Sequence, residues 1–312
     1  MTNNLKNLTI IILTADRLLQ IKQLIKSINK KLQKYSFKII IHDDGKKKDT
    51  QLYFNNLIKF NKNIIYIRNN KKLGHDKNYV KGLKSSKSNY TWIISDATKI
   101  NNSIFKKLTL LLDGRNDLLI LGAKNRKFYL DKEFNNHNKN LFLENFAWYL
   151  TLTGSFILSR KIISRINYID FNNFRNFPHI GLIFNAINHS KIKINFIGGE
   201  IISSYSKKSY WVQYVFDIFL TDWPKAIFGL KRYKKSSQLI AIINHAKYSK
   251  IFNFKNLLYL KSEKLYNMKI FNLYKKSFKK FTNYNFFNHF LTLIIPLIVI
   301  KFLIYIHRKI KL

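Results

Sequence analysis

The chain has 312 residues, enough for one large domain or one domain with a smaller addition. Lysine and arginine number 56 against 16 aspartates and glutamates, a formal net charge of +40, which reflects either a bias toward Lys, Asn, Ile, Phe and Tyr or attraction to a polyanion: nucleic acid, anionic lipid or a phosphorylated substrate. The lack of cysteine excludes disulfides, thiolate catalysis and zinc-thiolate sites, and the eight histidines show no metal-binding spacing.

The opening "MTNNLKNLTIIILTADR" has a polar start and an apolar run too short for a signal peptide. It reads as a first strand and places the protein in the cytoplasm. Short apolar runs follow at 37–41, 64–67, 91–94 and 118–121, with helical spacings between them. Leu18, Ile21, Ile25, Ile28 and Leu32 step by three and four along one helix face. Asp49 or Thr50 would cap a second helix carrying Leu52, Leu57 and Ile58. Asn102 or Ser103 would cap another, with Ile104, Leu108, Leu111 and Leu112 inward. Alternation of apolar strands with amphipathic helices predicts an α/β fold, a mainly parallel sheet with helices on both faces.

Ligands of such sheets bind at the carboxyl ends of the strands. Thr14, Asp16 and Arg17 follow the first run; His42, Asp43, Asp44 and Gly45 follow the second. Arg68 to Gly74 follow the third, and Ser95, Asp96 and Ala97 the fourth. Any one of the four aspartates could be a turn residue; all four on one edge point to a binding site.

These stretches resemble the nucleotide-sugar-binding half of family 2 glycosyltransferases, which have the GT-A fold. "LTIIILTADR" resembles the family's first strand and turn, "FKIIIHDDGKKKDT" its Asp-Asp-Gly strand end, and "IIYIRNNKKLGHDKNYVKGLKSSKSNYTWIISDA" the segment leading to its acidic motif. Further on, "TGSFILSRKI" resembles the acceptor-side strand and "FRNFPHIGLIFNAI" the helix start beyond it. The resemblance implies a GT-A domain over residues 1–205, with a nucleotide-sugar half (1–115) and an acceptor half (116–205). It implies inverting transfer of a sugar from a nucleotide-diphosphate sugar, a UDP-sugar favoured, to a glycan or lipid-linked acceptor of bacterial surface polysaccharide. Thr14 and Arg17 would lie beside the nucleotide, Asp43 would accept the base N–H, Asp44 would sit next to it, and Asp96 would face ribose and diphosphate. Arg68, with Lys71 or Lys72, would add cations near the phosphates.

The family expects a second acid after Asp96 to hold a divalent cation, magnesium or manganese. Here Ala97 or Thr98 stands there. Either a metal rests on Asp96 and the substrate alone, or transfer is metal-independent, with Lys99, Lys207 and Lys208 balancing the diphosphate. A general base is needed on the acceptor side; the candidates are His179 and Asp170, with Glu200 further off.

From 206 to 285 the chain is aromatic and basic, with Trp211, Tyr214, Phe216, Phe219, Trp223 and Phe228 among lysines. That pattern suits either a membrane interface or a buried helical face. The tail, 286–312, is apolar from Phe290 to Ile306 but interrupted by Pro296 and Lys301, and it ends in His307, Arg308, Lys309 and Lys311. It is short for a span of about 20 residues and fits a helix lying on an anionic inner membrane face. No nucleic-acid-binding motif appears; a non-specific nucleic-acid binder and a catalytically degenerate nucleotide-sugar binder are the alternatives.

Overall fold

The computed structural model describes residues 5–124, 126, 133–134, 138–205 and 210–310. They form two compact units: Met1–Lys139, Tyr149–Lys208 and Leu230–Arg232 make the first, and Asn140–Trp148, Ser209–Gly229 and Tyr233–Leu312 the second.

The first unit begins with strand–helix alternation: β1 (Leu8–Thr14), α1 (Leu18–Tyr35), β2 (Lys38–Asp43), α2 (Lys48–Phe60), β3 (Ile64–Arg68), α3 (His75–Ser85) and β4 (Tyr90–Ser95). It continues through β5 (Thr98–Ile100), α4 (Ile104–Leu111), β6 (Leu118–Ala123) and the two-residue β7 (Glu133–Phe134). α5 (Lys139–Leu150) comes next and belongs for the most part to the second unit; β8 (Phe156–Ser159), α6 (Arg160–Ile163), α7 (Pro178–His189) and β9 (Ile194–Ser204) then return to the first. The strand order is β3-β2-β1-β4-β8-β6-β9-β5, with β7 beside β9. The β1–β4 half is parallel; β8 and β5 then run antiparallel to their neighbours, so the sheet is mixed. β1 and β4 are apolar on both faces because helices cover both.

The helix expected from Leu18 to Leu32 is α1, and Ile21, Leu24, Ile25, Ile28 and Leu32 are its buried stripe. α2 differs from expectation. It starts at Lys48 without a side-chain cap, buries Thr50 and Phe54, and leaves Leu52 64% exposed. Phe54 fills that space by stacking on Tyr66 of β3, centroids 5.1 Å apart. The α4 start is also uncapped by Ser103; Asn101 instead accepts the Ser103 N–H.

In the second unit, α8 (Val215–Asp217) runs through a π turn into α9 (Trp223–Phe228), followed by α10 (Lys235–Ser249), α11 (Phe254–Ser262), α12 (Met268–Phe281), α13 (Phe286–Ile294) and α14 (Leu297–Ile310). Asn253, Asn267 and Asn285 cap α11, α12 and α13, each accepting a backbone N–H three residues on. Val215, Phe216, Leu220, Phe252, Leu257, Tyr266, Phe271 and Phe278 form the core. Of the aromatic run, Phe216 and Trp223 are buried while Tyr214 stays exposed, so a buried helical face accounts for most of it.

β6 and β9 shift register between Leu121 and Ala123. A Cβ on Gly122 would stand 1.8 Å from the Gly199 carbonyl oxygen, and Gly199 itself has φ +88°. The bulge therefore admits no side chain at 122. Gly122→Ala is expected to cost about 1–3 kcal/mol; an unchanged denaturation midpoint would contradict this close approach.

Candidate active site

The parallel register brings the strand ends level. Thr14 pairs with Asp43, Asp43 with Arg68, and Leu13 with Ser95, so residue 96 follows next to Thr14. The Asp96 N–H donates to the Leu13 carbonyl. Its carboxylate is 2% exposed. The Thr14 hydroxyl donates to Oδ2 at 2.8 Å, and the Arg17 guanidinium pairs with Oδ1 at 3.0 Å. Burial pushes the Asp96 carboxyl above its ordinary value, while the Arg17 charge and the Thr14 bond act against that rise. Arg17 remains about a third exposed, so its outer face meets solvent where the site opens.

The other acids on this edge divide differently from expectation. Asp44 is a loop anchor: its oxygens accept the N–H groups of Leu73 (2.7 Å) and Gly74 (2.8 Å) and the Asn69 amide (2.9 Å). Asn69 in turn bonds Asn78 and receives Lys81. Asp16, at φ +57°, accepts the N–H groups of Lys46 and Lys47. That contact is tight enough that a Cβ on Gly45 would lie 2.5 Å from Asp16 atoms. Asp43 is fully buried; its oxygens accept the Gly45 N–H at 2.8 Å and the Tyr66 hydroxyl at 2.6 Å. Each oxygen keeps a second lone pair. Arg68 bonds the Gln51 side chain and the carbonyls of Gly45 and Lys46, which ties β3 to the β2–α2 turn.

Asp96 is the one carboxylate offered by this strand end, and Thr14 and Arg17 already bond its two oxygens. Ala97 offers no carboxylate, and the Thr98 hydroxyl turns back to Ser95. Among the described residues no group of three acids or histidines converges to hold a metal. Lys99 is exposed, its ammonium 5.9 Å from the Tyr205 ring centre. Lys207 and Lys208 lie outside the described residues.

The two expected bases have different surroundings. His179 is 1% exposed, with its ring among Tyr79, Phe156 and Phe177, centroids 5.6–6.3 Å away. Burial, helped by the charge of His75, lowers its pKa to about 3 against the opposing pull of Asp76. It packs among these rings as a buried, neutral side chain. Asp170 is exposed and accepts the Asn172 N–H and the Asn173 amide, capping a short 3₁₀ turn. Glu200 is exposed on β9. Beside His179 sits a pair that the reading of the sequence passed over, His75 and Asp76, with Nδ1 2.8 Å from Oδ1. Its signal was the "GHDKN" stretch directly behind the third strand.

The sequence profile described as "Glycosyl transferase family 2" matches residues 9–177, more than half of the chain. The protein is a member of glycosyl transferase family 2. The fold agrees with that assignment. S. aureus TarS 1–349 in complex with UDP-GlcNAc is similar at TM-score 0.58 and 14% identity, over 88% of this chain and 80% of that one. A mannosyltransferase of Pyrobaculum calidifontis, PcManGT, solved with GDP-Man and Mn2+, is similar at TM-score 0.56 and 11% identity, over 86% and 79%. Among curated proteins, none matches the chain in sequence. The glycosyltransferase match ends at Phe177, so α8 to α14 lie beyond it.

Unfolded, His179 takes up a proton below about pH 6.5, whereas folded it resists until about pH 3. Its contribution to stability is therefore complete above 6.5 and shrinks as pH falls, by up to about 1.4 kcal/mol per pH unit. His179→Phe is expected to unfold with a shallower loss of stability between pH 7 and 4.5 than the parent chain. Parallel pH profiles from denaturant titrations would contradict the buried neutral assignment.

Proposed function

We propose that the protein moves a sugar from a nucleotide-diphosphate sugar to a glycan or lipid-linked acceptor, with inversion, in synthesis of a bacterial surface polysaccharide such as lipopolysaccharide or capsule. Asp96 carries this reading. A buried carboxylate at the end of β4, steadied by Thr14 and partnered by Arg17, is placed to accept the ribose hydroxyls and to hold a cationic group beside the diphosphate. Asp43 would read the N–H of a uracil-like base, with Tyr66 as the gate. Arg68 acts through the turn that it ties down, and Asp44 through the loop that it anchors. Residues 1–205 would carry the chemistry.

As the sugar–oxygen bond breaks, charge builds on the leaving diphosphate and must be met by preorganised cations. Arg17 is fixed for this role by its bond to Asp96, and Lys99 stands on the neighbouring β5. The lack of a second acid also favours a second reading, a degenerate relative that binds nucleotide sugars without turning them over. Calorimetric titration with UDP, GDP, CDP and dTDP, each with manganese and again with chelator, tests both. The expected result is chelator-insensitive binding of UDP, weakened at least tenfold in Arg17→Leu. Binding of no diphosphate would end the enzyme reading, and binding without any release of diphosphate from the sugar nucleotide would favour the second.

The acceptor is proposed to lie on an anionic inner membrane face. Among the described residues no helix is long and apolar enough to cross a membrane. Phe286, Phe290 and Ile294 of α13 and Ile298, Phe302 and Ile306 of α14 form exposed rows at i, i+4, i+8, with Phe287 62% and Ile298 78% exposed. Inward, His289, Thr292 and Ile300 are buried. Each such ring or branched chain gains about 1.5–3 kcal/mol on leaving water, and the +40 charge supplies attraction to anionic headgroups. The protein should cosediment with vesicles containing phosphatidylglycerol and not with neutral ones. Phe287→Asp combined with Phe302→Asp should lower that partitioning tenfold or more; equal partitioning of the double variant would overturn the proposal.

A further inference from the structure

Inverting transfer needs a base for the acceptor hydroxyl; His179 is buried among rings, and Asp170 is bonded into its own turn. The pair at the head of α3 has the missing properties. β1 to β4 are parallel and α3 returns across the sheet, so His75 opens its helix at the same edge that carries Thr14, Asp43 and Asp96. Its position is held from behind: Asp44 accepts the N–H groups of Leu73 and Gly74, the two residues immediately before it.

The pair itself is oriented. His75 Nδ1 lies 2.8 Å from Asp76 Oδ1, and Asp76 Oδ2 accepts the Asn176 N–H at 2.8 Å from the loop entering α7. Neither carboxylate oxygen is spent on the amides of its own helix, so the acid is not a simple helix cap. Burial alone would raise the Asp76 carboxyl, yet the bonds to His75 and Asn176 hold it below its ordinary value. An ionised Asp76 only accepts, so Nδ1 must carry the proton and Nε2 is left with a lone pair. Both side chains are about a third exposed, unlike His179. The groups facing His75 are Asp76 and Tyr79 on its own helix and, from α7, His179, which burial keeps neutral.

We propose that His75 is the general base of sugar transfer and that Asp76 is its positioning residue. This rests on the glycosyltransferase reading above. The acceptor O–H proton passes to His75 Nε2 as the acceptor oxygen bonds the anomeric carbon. The bond from that carbon to the diphosphate breaks, and its electron pair leaves with the nucleoside diphosphate. Asp76 balances the imidazolium until the proton passes to solvent. With water in place of the acceptor, the same step hydrolyses the donor, which gives an assay that needs no identified acceptor.

The test compares the parent chain with His75→Ala, His75→Gln, Asp76→Asn and His179→Phe. UDP release from UDP-GlcNAc and GDP release from GDP-mannose are followed across pH, and UDP affinity is measured by calorimetry. His75→Ala and His75→Gln should lower kcat by a hundredfold or more with UDP affinity within twofold, and imidazole should restore part of the His75→Ala rate. Asp76→Asn should lower kcat and move the acid limb of the pH profile to lower pH, a change that a purely structural acid would not cause. His179→Phe should keep kcat. Turnover of His75→Ala within twofold of the parent chain, or a fall in UDP affinity that matches the fall in rate, would overturn the proposal. A parent chain that binds no nucleotide would instead overturn the reading beneath it.

Discussion

A carboxylate with almost no contact with water needs a counter-charge, and Asp96 has Arg17. Breaking such a pair by removing one partner leaves an uncompensated buried charge, at a cost of about 3–5 kcal/mol. The pairing dictates where the turn after β1 must lie, since Arg17 follows Thr14 by three residues and both must meet the end of β4. Register of the parallel strands makes this geometry: one residue of slip would turn Thr14 away from Asp96.

Around that pair, the acids of the edge divide by what their oxygens touch. Asp44 and Asp16 are consumed by backbone N–H groups and shape the loops. Asp43 is shared between a turn and Tyr66. Asp96 alone faces a cation that remains partly open to solvent. On this edge Asp16, Asp43 and Asp44 thus serve turns and loops, which lets the site keep its shape without a second acid beside Asp96. The cation at its centre is an arginine, always charged and able to fork to a carboxylate or a phosphate.

The second unit follows another logic. Its core is aromatic, with Phe216 stacked near Phe252, Tyr266 and Tyr274, and its helices start on asparagine caps. Lys261 closes the end of α13 by donating to the carbonyls of Thr292, Leu293 and Ile295 just before Pro296 turns the chain. The result is two short helices with apolar rows outward, in place of one long helix.

Periodicity and the resemblance were enough to identify the strand–helix alternation of β1 to β4, the buried stripe of α1, the acidic edge and the family. Each depends on local spacing, or on residues close together in the chain. Tertiary packing decided the rest. Leu52 was expected inward and Phe54 took its place, because β3 offered Tyr66 to stack on. His179, which sits where the base was sought, was drawn into a pocket of rings contributed by α3 and β8. Asp170 was spent on its own turn. Composition and spacing determined which residues reach the sheet edge; whether each faces solvent, a backbone amide or another side chain is settled by segments distant in the chain, and the spacing of residues does not record them.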